Sequence, residues 1–221
     1  MFKSKTTSTA SLDARNRLVM AALRLFAEKG FEAASTREIC EAAEVNISSI
    51  RYYFGDKAGL YRAAFKEPLG EYPCLAHLEN YLSMPLIEAL VLFFNDFLSP
   101  LKMSEEIQMV MKLHFREMIE PTGVWQEEID AEIKPQHEAL LLMLCQHLQV
   151  EQVDDDIQRM AFAIIGMAVH FYVGQQVVHS LAPNLLNSHQ HIDLLAERMA
   201  GYAVSIIQGE YQRRQASAGN D

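Results

Sequence analysis

The chain is poor in helix breakers and poor in strand patterning. Its 221 residues include only 10 Gly and 7 Pro, and few runs alternate apolar and polar with period two. A sheet-built fold is therefore not expected, and an all-α fold is. Cysteine is scarce as well. Cys40, Cys74 and Cys145 form an odd, widely spaced set, which argues against a disulfide framework and for reduced thiols in the cytoplasm. Cys74 and His77 have the spacing of half a zinc site, but no second pair accompanies them, so no metal is expected. No stretch reaches the roughly 18 apolar residues of a membrane span. The longest, Met160 to Val173, is interrupted by His170. Residues 1–12 are rich in Ser, Thr and Lys without an apolar core, and they read as a disordered arm rather than a secretory signal. Signatures of catalysis are missing too: there is no His-Glu-x-x-His, no Gly-rich phosphate loop and no Gly-x-Ser-x-Gly. His137-Glu138 lacks a second histidine at the right place. Neither an enzyme nor a bound cofactor is expected.

What is present is charge, unevenly divided. The net charge is −10. Residues 1–66 carry 11 Lys+Arg against 7 Asp+Glu, a net of +4, and residues 67–221 carry 8 against 22, a net of −14. A basic first third can neutralise phosphates, while DNA would repel the acidic remainder.

Helical signals divide the basic third. A first helix is expected from about Asp13 to Lys29, with Leu18, Ala22, Leu25 and Phe26 on one face and Gly30 as its stop. Ser35 followed by Glu38 is a capping box opening a second helix, whose apolar face is Ile39, Ala42 and Ala43. Asn46 is placed to cap a short third helix, about Ile47 to Phe54, an effect worth about 1 kcal/mol. Ile50 and Phe54, four apart, should anchor that helix and leave Ser48, Ser49, Arg51, Tyr52 and Tyr53 free. Asp56 caps a fourth helix beginning at Lys57, with Leu60, Tyr61, Ala64 and Phe65 inward. Two short helices joined by a tight turn, the second polar and aromatic, are the layout of a helix-turn-helix, whose second helix enters the DNA major groove.

Beyond Pro68 the patterns lengthen. A helix may resume around Cys74 to Leu82, and helices are expected at about 85–98, 105–120, 125–148, 155–181 and 191–212. Pro135 should kink or split the third of the five long ones. The expected domains are 13–66 for DNA binding and 67–214 for a helical ligand-binding and dimerisation domain, followed by a frayed tail at 215–221.

Residues Arg15 to Phe65 resemble the TetR/AcrR family of one-component transcriptional regulators. The resemblance rests on order and spacing together: aromatic-Ala-x-x-Gly-aromatic from Phe26 to Phe31, Thr36-x-x-Ile39, Ala43-x-Val45, the aromatic-rich third helix, and Phe54-x-x-Lys57-x-x-Leu60. The run Tyr52 to Lys57 and the helix from Trp125 resemble the CecR-type subgroup. The resemblance implies that Thr36 and Arg37 meet backbone phosphates. It places Asn46, Ile47, Ser48 and Ser49 at the base-reading end of the recognition helix. Tyr52 and Tyr53 would touch phosphates and thymine methyls, and Lys57 would grip a phosphate beside the amides of its helix N-terminus. Three positions depart from the family pattern. Glu44 stands where the turn usually has Gly, and a left-handed non-Gly residue costs roughly 1–2 kcal/mol. Arg51 replaces a common tyrosine and can reach a guanine or a phosphate. Tyr53 replaces a common histidine.

The family pattern further implies a homodimer on a palindromic double-stranded DNA operator. The expected interface is a four-helix bundle built from 155–181 and 191–212 of both subunits, with Ala163, Gly166, His170 and Gly174 as a small-residue stripe. It also implies an inducer pocket for a small molecule of unknown identity. Candidates are Met111, His114 and Phe115, from an inward stripe on 105–120 of Ile107, Val110, Met111, His114, Phe115 and Met118, joined by Phe93, Phe97, Trp125, Met143, His170 and Tyr172. The alternatives are a helical adaptor that has lost DNA binding and an all-helical enzyme.

Overall fold

In a computed structural model the described residues are 5–70, 78–124, 126 and 133–218, with side chains from Leu12 onward except at 78, 79 and 218. The helices are α1 (Lys5–Ala33), α2 (Thr36–Ala42), α3 (Ser48–Phe54), α4 (Lys57–Lys66), α5 (Leu78–Tyr81), α6 (Leu86–Leu98), α7 (Glu105–Ile119), α8 (Lys134–Leu148), α9 (Asp155–Val173), α10 (Gln175–Leu181) and α11 (His189–Ala218). No strand occurs among the described residues. Two compact units result: residues 1–72 with 103–126, and residues 73–102 with 127–221.

The first unit packs α1 against α4 and α7. Leu18, Ala22, Leu23 and Phe26 of α1 are fully buried, as are Leu60 and Ala64 of α4. Burial of each large apolar side chain contributes roughly 1.5–3 kcal/mol. Tyr61 is the hub of an aromatic cluster, with its ring 4.8 Å from Phe26 and 4.9 Å from both Phe31 and Phe65. These edge-on contacts add about 0.5–1.5 kcal/mol each beyond burial.

This first unit extends past residue 66 to take in α7. Helix α7 belongs with the DNA-binding elements, held there by polar contacts as well as apolar ones. Arg116 of α7 donates to the carbonyls of Glu28 and Lys29, both at 3.3 Å, at the point where α1 kinks. Gly30 has φ 82 there, and a Cβ on it would lie 2.7 Å from the Arg116 guanidinium. Gly30 thus ends the straight part of α1, as expected, and leaves room for the arginine that satisfies its last carbonyls. The start of α1 is also corrected. Its backbone is helical from Lys5 rather than from Asp13.

The inward face of α7 is rotated from the expected stripe. Val110, Leu113, Phe115 and Glu117 are buried, whereas Met118 is 55% exposed. A hydrophobic-periodicity argument places charged residues outward, and Glu117 inverts it. Its carboxylate accepts from the Tyr61 hydroxyl at 2.5 Å, the Thr122 amide at 3.0 Å and the Thr122 hydroxyl at 2.8 Å.

The second unit has its own core. Leu90, Phe94 and Leu98 of α6 meet Leu140 and Leu144 of α8, Ile157, Ala161 and Ile164 of α9, and Ala196, Ala200, Ala203 and Ile207 of α11. Asp154 caps α9 by accepting from the Ile157 amide at 2.9 Å, and Arg214 of α11 grips the same carboxylate with two bonds of 2.8 and 2.9 Å. The Arg214 pair, more than the Ile157 amide, holds Asp154 far below the usual carboxylate range. The helix expected over 155–181 is two helices, α9 and α10, bent by 79°. Gly174, the poorest helix former short of proline, stands at the break rather than in a packing stripe. Pro135 lies in the first turn of α8, where its missing amide costs nothing. Helix α11 runs to Ala218, past the expected end at Gln212. No single helix among the described residues is long and apolar enough to cross a membrane. Cys74 and His77 fall outside the described residues.

Candidate nucleic-acid interface

The local sequence builds a helix-turn-helix from α2, its turn and α3. The capping box forms at α2: the Glu38 amide donates to the Ser35 hydroxyl at 3.1 Å, and the Ser35 amide donates to the Glu38 carboxylate at 3.2 Å. Lys29 of α1 adds a 2.7 Å ion pair to Glu38. Together, with Lys29 contributing most, these contacts lower the Glu38 carboxyl to about 2.

The turn closes as a Schellman motif. The Val45 amide donates to the Cys40 carbonyl at 3.0 Å and the Glu44 amide to the Glu41 carbonyl at 3.2 Å. Glu44 holds the left-handed position, with φ 53. The turn therefore keeps the shape glycine would give it, at a strain of roughly 1–2 kcal/mol. Arg17 of α1 donates to the Ala43 carbonyl at 2.9 Å and fixes the turn from behind.

Helix α3 is seated by Ile50, which is 4% exposed, and by a half-buried Phe54 with the Arg15 guanidinium 4.9 Å above its ring. Arg15 also pairs with Glu67 at 2.5 and 2.6 Å. That seating turns the rest of α3 outward, as its spacing predicts. Ser48, Arg51 and Tyr52 are exposed, Tyr52 to 79%, and Ser49 and Tyr53 are half-buried. These five side chains line one open hollow of about 460 Å³. The Tyr52 and Tyr53 rings meet edge-on at 4.8 Å.

The polar groups at the leading end of α3 are oriented by each other. The N-cap of α3 is Ile47 rather than Asn46, but the Asn46 side-chain oxygen still accepts from the Ser48 amide and the Ser48 hydroxyl, both at 2.9 Å. Its amide NH2 is then the outward donor, and the Ser48 oxygen the outward acceptor. Ile47 is 57% exposed, an apolar surface of the kind that meets a thymine methyl.

At the flanks, Thr36 is half-buried and Arg37 is exposed and paired with Glu41 at 2.9 Å. Lys57 rests 4.5 Å above the Phe31 ring, with its ammonium 3.4 Å from the Glu32 carbonyl. The anion site expected at the α4 N-terminus is partly taken, since Asp56 accepts from the Gly59 amide at 2.7 Å. Gly59 itself escaped the sequence reading. A Cβ there would lie 2.0 Å from the Phe54 carbonyl oxygen, so α3 and α4 join this closely only around a glycine. A glycine in a first helical turn was the available signal. For the Arg15 contact to Glu67 and the Arg17 contact to Ala43 there was none, because those partners lie 52 and 26 residues away.

The inducer-pocket candidates fall in both units. Met111, His114 and Phe115 lie on α7 of the first, where the His114 ring is 4.7 Å from Phe65. In the second, Phe97 lies 6.2 Å from Phe93 and 5.9 Å from Tyr172 between ring centres, and the Tyr172 hydroxyl donates to the Phe97 carbonyl at 2.5 Å. Met143 is buried in the core, whereas His170 is exposed. Trp125 falls outside the described residues.

A helix-turn-helix with a seated, outward-facing second helix defines a DNA-binding regulator. The chain belongs to the TetR family: residues 18–64 match the model of bacterial regulatory proteins of the tetR family, and residues 86–210 match the C-terminal domain of the HTH-type transcriptional dual regulator CecR. It is similar to the CecR regulator of Shigella flexneri, with 26% identity over 210 residues, covering 90% of this chain and 94% of that one. Its fold is similar to that of AibR, solved with isovaleryl coenzyme A and operator DNA, at TM-score 0.62 and 19% identity, covering 86% and 97% of the two chains. It is likewise similar to FadR of Bacillus subtilis, solved with stearoyl-CoA, at TM-score 0.59 and 18% identity, covering 86% and 97%. The protein is a DNA-binding transcriptional regulator.

Proposed function

We propose that this regulator is a homodimeric repressor that leaves a palindromic operator when a small molecule binds its helical C-terminal domain. The observation that carries the DNA half of this reading is the α3 face, outward and cationic at Arg51, standing on a buried Ile50. In this reading Asn46, Ile47, Ser48, Ser49, Arg51, Tyr52 and Tyr53 meet the major groove, while Thr36, Arg37 and Lys57 meet flanking phosphates. Lys57 would trade its Phe31 and Glu32 contacts for the phosphate.

The dimer half is supported by apolar surface left uncovered on the second unit. Phe162 of α9 is 65% exposed and Tyr202 of α11 is 59% exposed, and Ala163, Gly166, Gly201 and Ser205 beside them are exposed and small. Small residues let helices approach closely, and a twofold interface would cover both helices at once. For release, the ligand must bind the non-operator conformation more tightly than the operator-bound one. The acyl-CoA thioesters bound by two structural neighbours are the first class to try.

The test is fluorescence anisotropy on DNA upstream of the protein's own gene, over a range of salt. Specific binding that weakens steeply with salt is expected. Absence of specific binding at low salt overturns the proposal. Unchanged operator affinity in the presence of every ligand shown to bind would remove the inducer half.

A further inference from the structure

The cations near the reading surface are not equivalent. Arg37 is paired with Glu41, and Lys57 rests on Phe31 and the Glu32 carbonyl. Arg15 is paired with Glu67, and Arg17 with Asp13 and the Ala43 carbonyl. Arg51 alone rises from α3 itself, and its guanidinium has no partner among the described residues. It borders the open hollow with Ser48, Ser49, Tyr52 and Tyr53. No carboxylate has to be displaced before its fork is used.

Helical geometry sets where that fork points. With Ile50 seated and about 100° between successive residues, Ser48 and Tyr52 point away from the scaffold and Arg51 lies on the flank beside them. An arginine on the inserted helix is within reach of base edges as well as phosphates, whereas residues on flanking elements meet the phosphates of the groove walls. Among base edges, guanine alone offers two acceptors, O6 and N7, spaced for a guanidinium fork in the major groove.

We propose that Arg51 is the specificity-determining residue of this regulator, holding one guanine per half-site through paired hydrogen bonds to O6 and N7. The assignment rests on the operator-binding reading above and adds what the site recognises. The neighbouring groups suit this partner. Tyr52, with its ring outward, can pack on a thymine methyl next to the guanine, and Ser48 offers its oxygen as an acceptor.

The experiment is selection of binding sites from random duplexes by the full-length protein, followed by affinity measurements on the selected operator. These compare wild type, Arg51→Ala and Arg51→Lys, with 7-deazaguanine replacing each guanine in turn. Wild type should select one invariant G·C pair in each half-site and weaken when N7 of that guanine is removed. Arg51→Ala should lose ~5- to 150-fold there, lose its preference at that pair alone, and ignore the deaza substitution. Arg51→Lys should recover little, because lysine lacks the fork. Because Arg51 is exposed, both variants should melt like wild type, which separates lost contact from lost fold. A uniform loss across all sequences, with a shallower salt dependence and rescue by lysine, would make Arg51 a phosphate contact and overturn the assignment alone. Failure of wild type to select any sequence overturns both this assignment and the regulator's operator reading.

Discussion

The Tyr61 hydroxyl donates to the Glu117 carboxylate at 2.5 Å, across 56 residues of sequence. Burial and then the carboxylate hold the Tyr61 phenol protonated far above its ordinary range. Glu117 is 1% exposed and also accepts twice from Thr122. Glu117→Ala removes the acceptor of the buried Tyr61 hydroxyl and of two part-buried Thr122 donors. A loss of about 3 kcal/mol is expected, at roughly 1–3 kcal/mol for each buried donor left unsatisfied but with partial relaxation. Glu117→Gln keeps a carbonyl acceptor and should lose less. Urea unfolding midpoints check both, and an alanine variant as stable as wild type would mean the network does not hold α7 to α4.

Glu44 occupies a left-handed turn position in a Schellman motif. Glu44→Gly relieves about 1–2 kcal/mol of strain and returns part of it as added freedom of the unfolded chain. A net stabilisation of about 0.5–1 kcal/mol is expected, seen as a thermal midpoint a few degrees higher. Destabilisation instead would show that the Glu44 side chain is worth more than its strain.

Gly59→Ala places a Cβ 2.0 Å from the Phe54 carbonyl oxygen, which is backbone and cannot swing away. The α3–α4 junction must open, at a cost of about 1–3 kcal/mol by comparison with other overpacked sites. Operator affinity should fall with it, because α3 is reseated. Retention of both stability and affinity would show that the junction tolerates a wider spacing.

Glu38 carries a pH dependence of definite sign. Its folded carboxyl is lowered from 4.5 to about 2, first by Lys29 and then by the Ser35 amide. The ionised form is therefore favoured by folding. That contribution is fully present above 4.5 and is lost as pH falls toward 2. Glu38→Gln should flatten the acid-side decline of the unfolding midpoint, and equal slopes in variant and wild type would assign the decline to other groups.

The elements that carry their own signals were legible before folding. Asp56 and Lys57 open α4, Ser35 and Glu38 open α2, and Ile50 with Phe54 dictates which face of α3 is left outward. These are contacts within a few residues, written in spacing. What was not legible depends on partners distant in sequence. Nothing local says that Arg116 will reach the carbonyl of Glu28, 88 residues away, or that Glu117 will be drawn inward by Tyr61. The rotation of α7 and its membership of the first unit followed from those pairings. The break at Gly174 is hidden for a related reason, since glycine marks both close helix approach and helix interruption, and only packing chooses between them.

Gly30 has one more consequence. The space its missing side chain leaves is the socket in which the Arg116 guanidinium sits. The mooring of α7 to α1 is therefore controlled by a residue that forms no part of the bond. Alanine at position 30 would leave donor and acceptors chemically intact and still displace the arginine, removing the polar part of the mooring through a single added carbon.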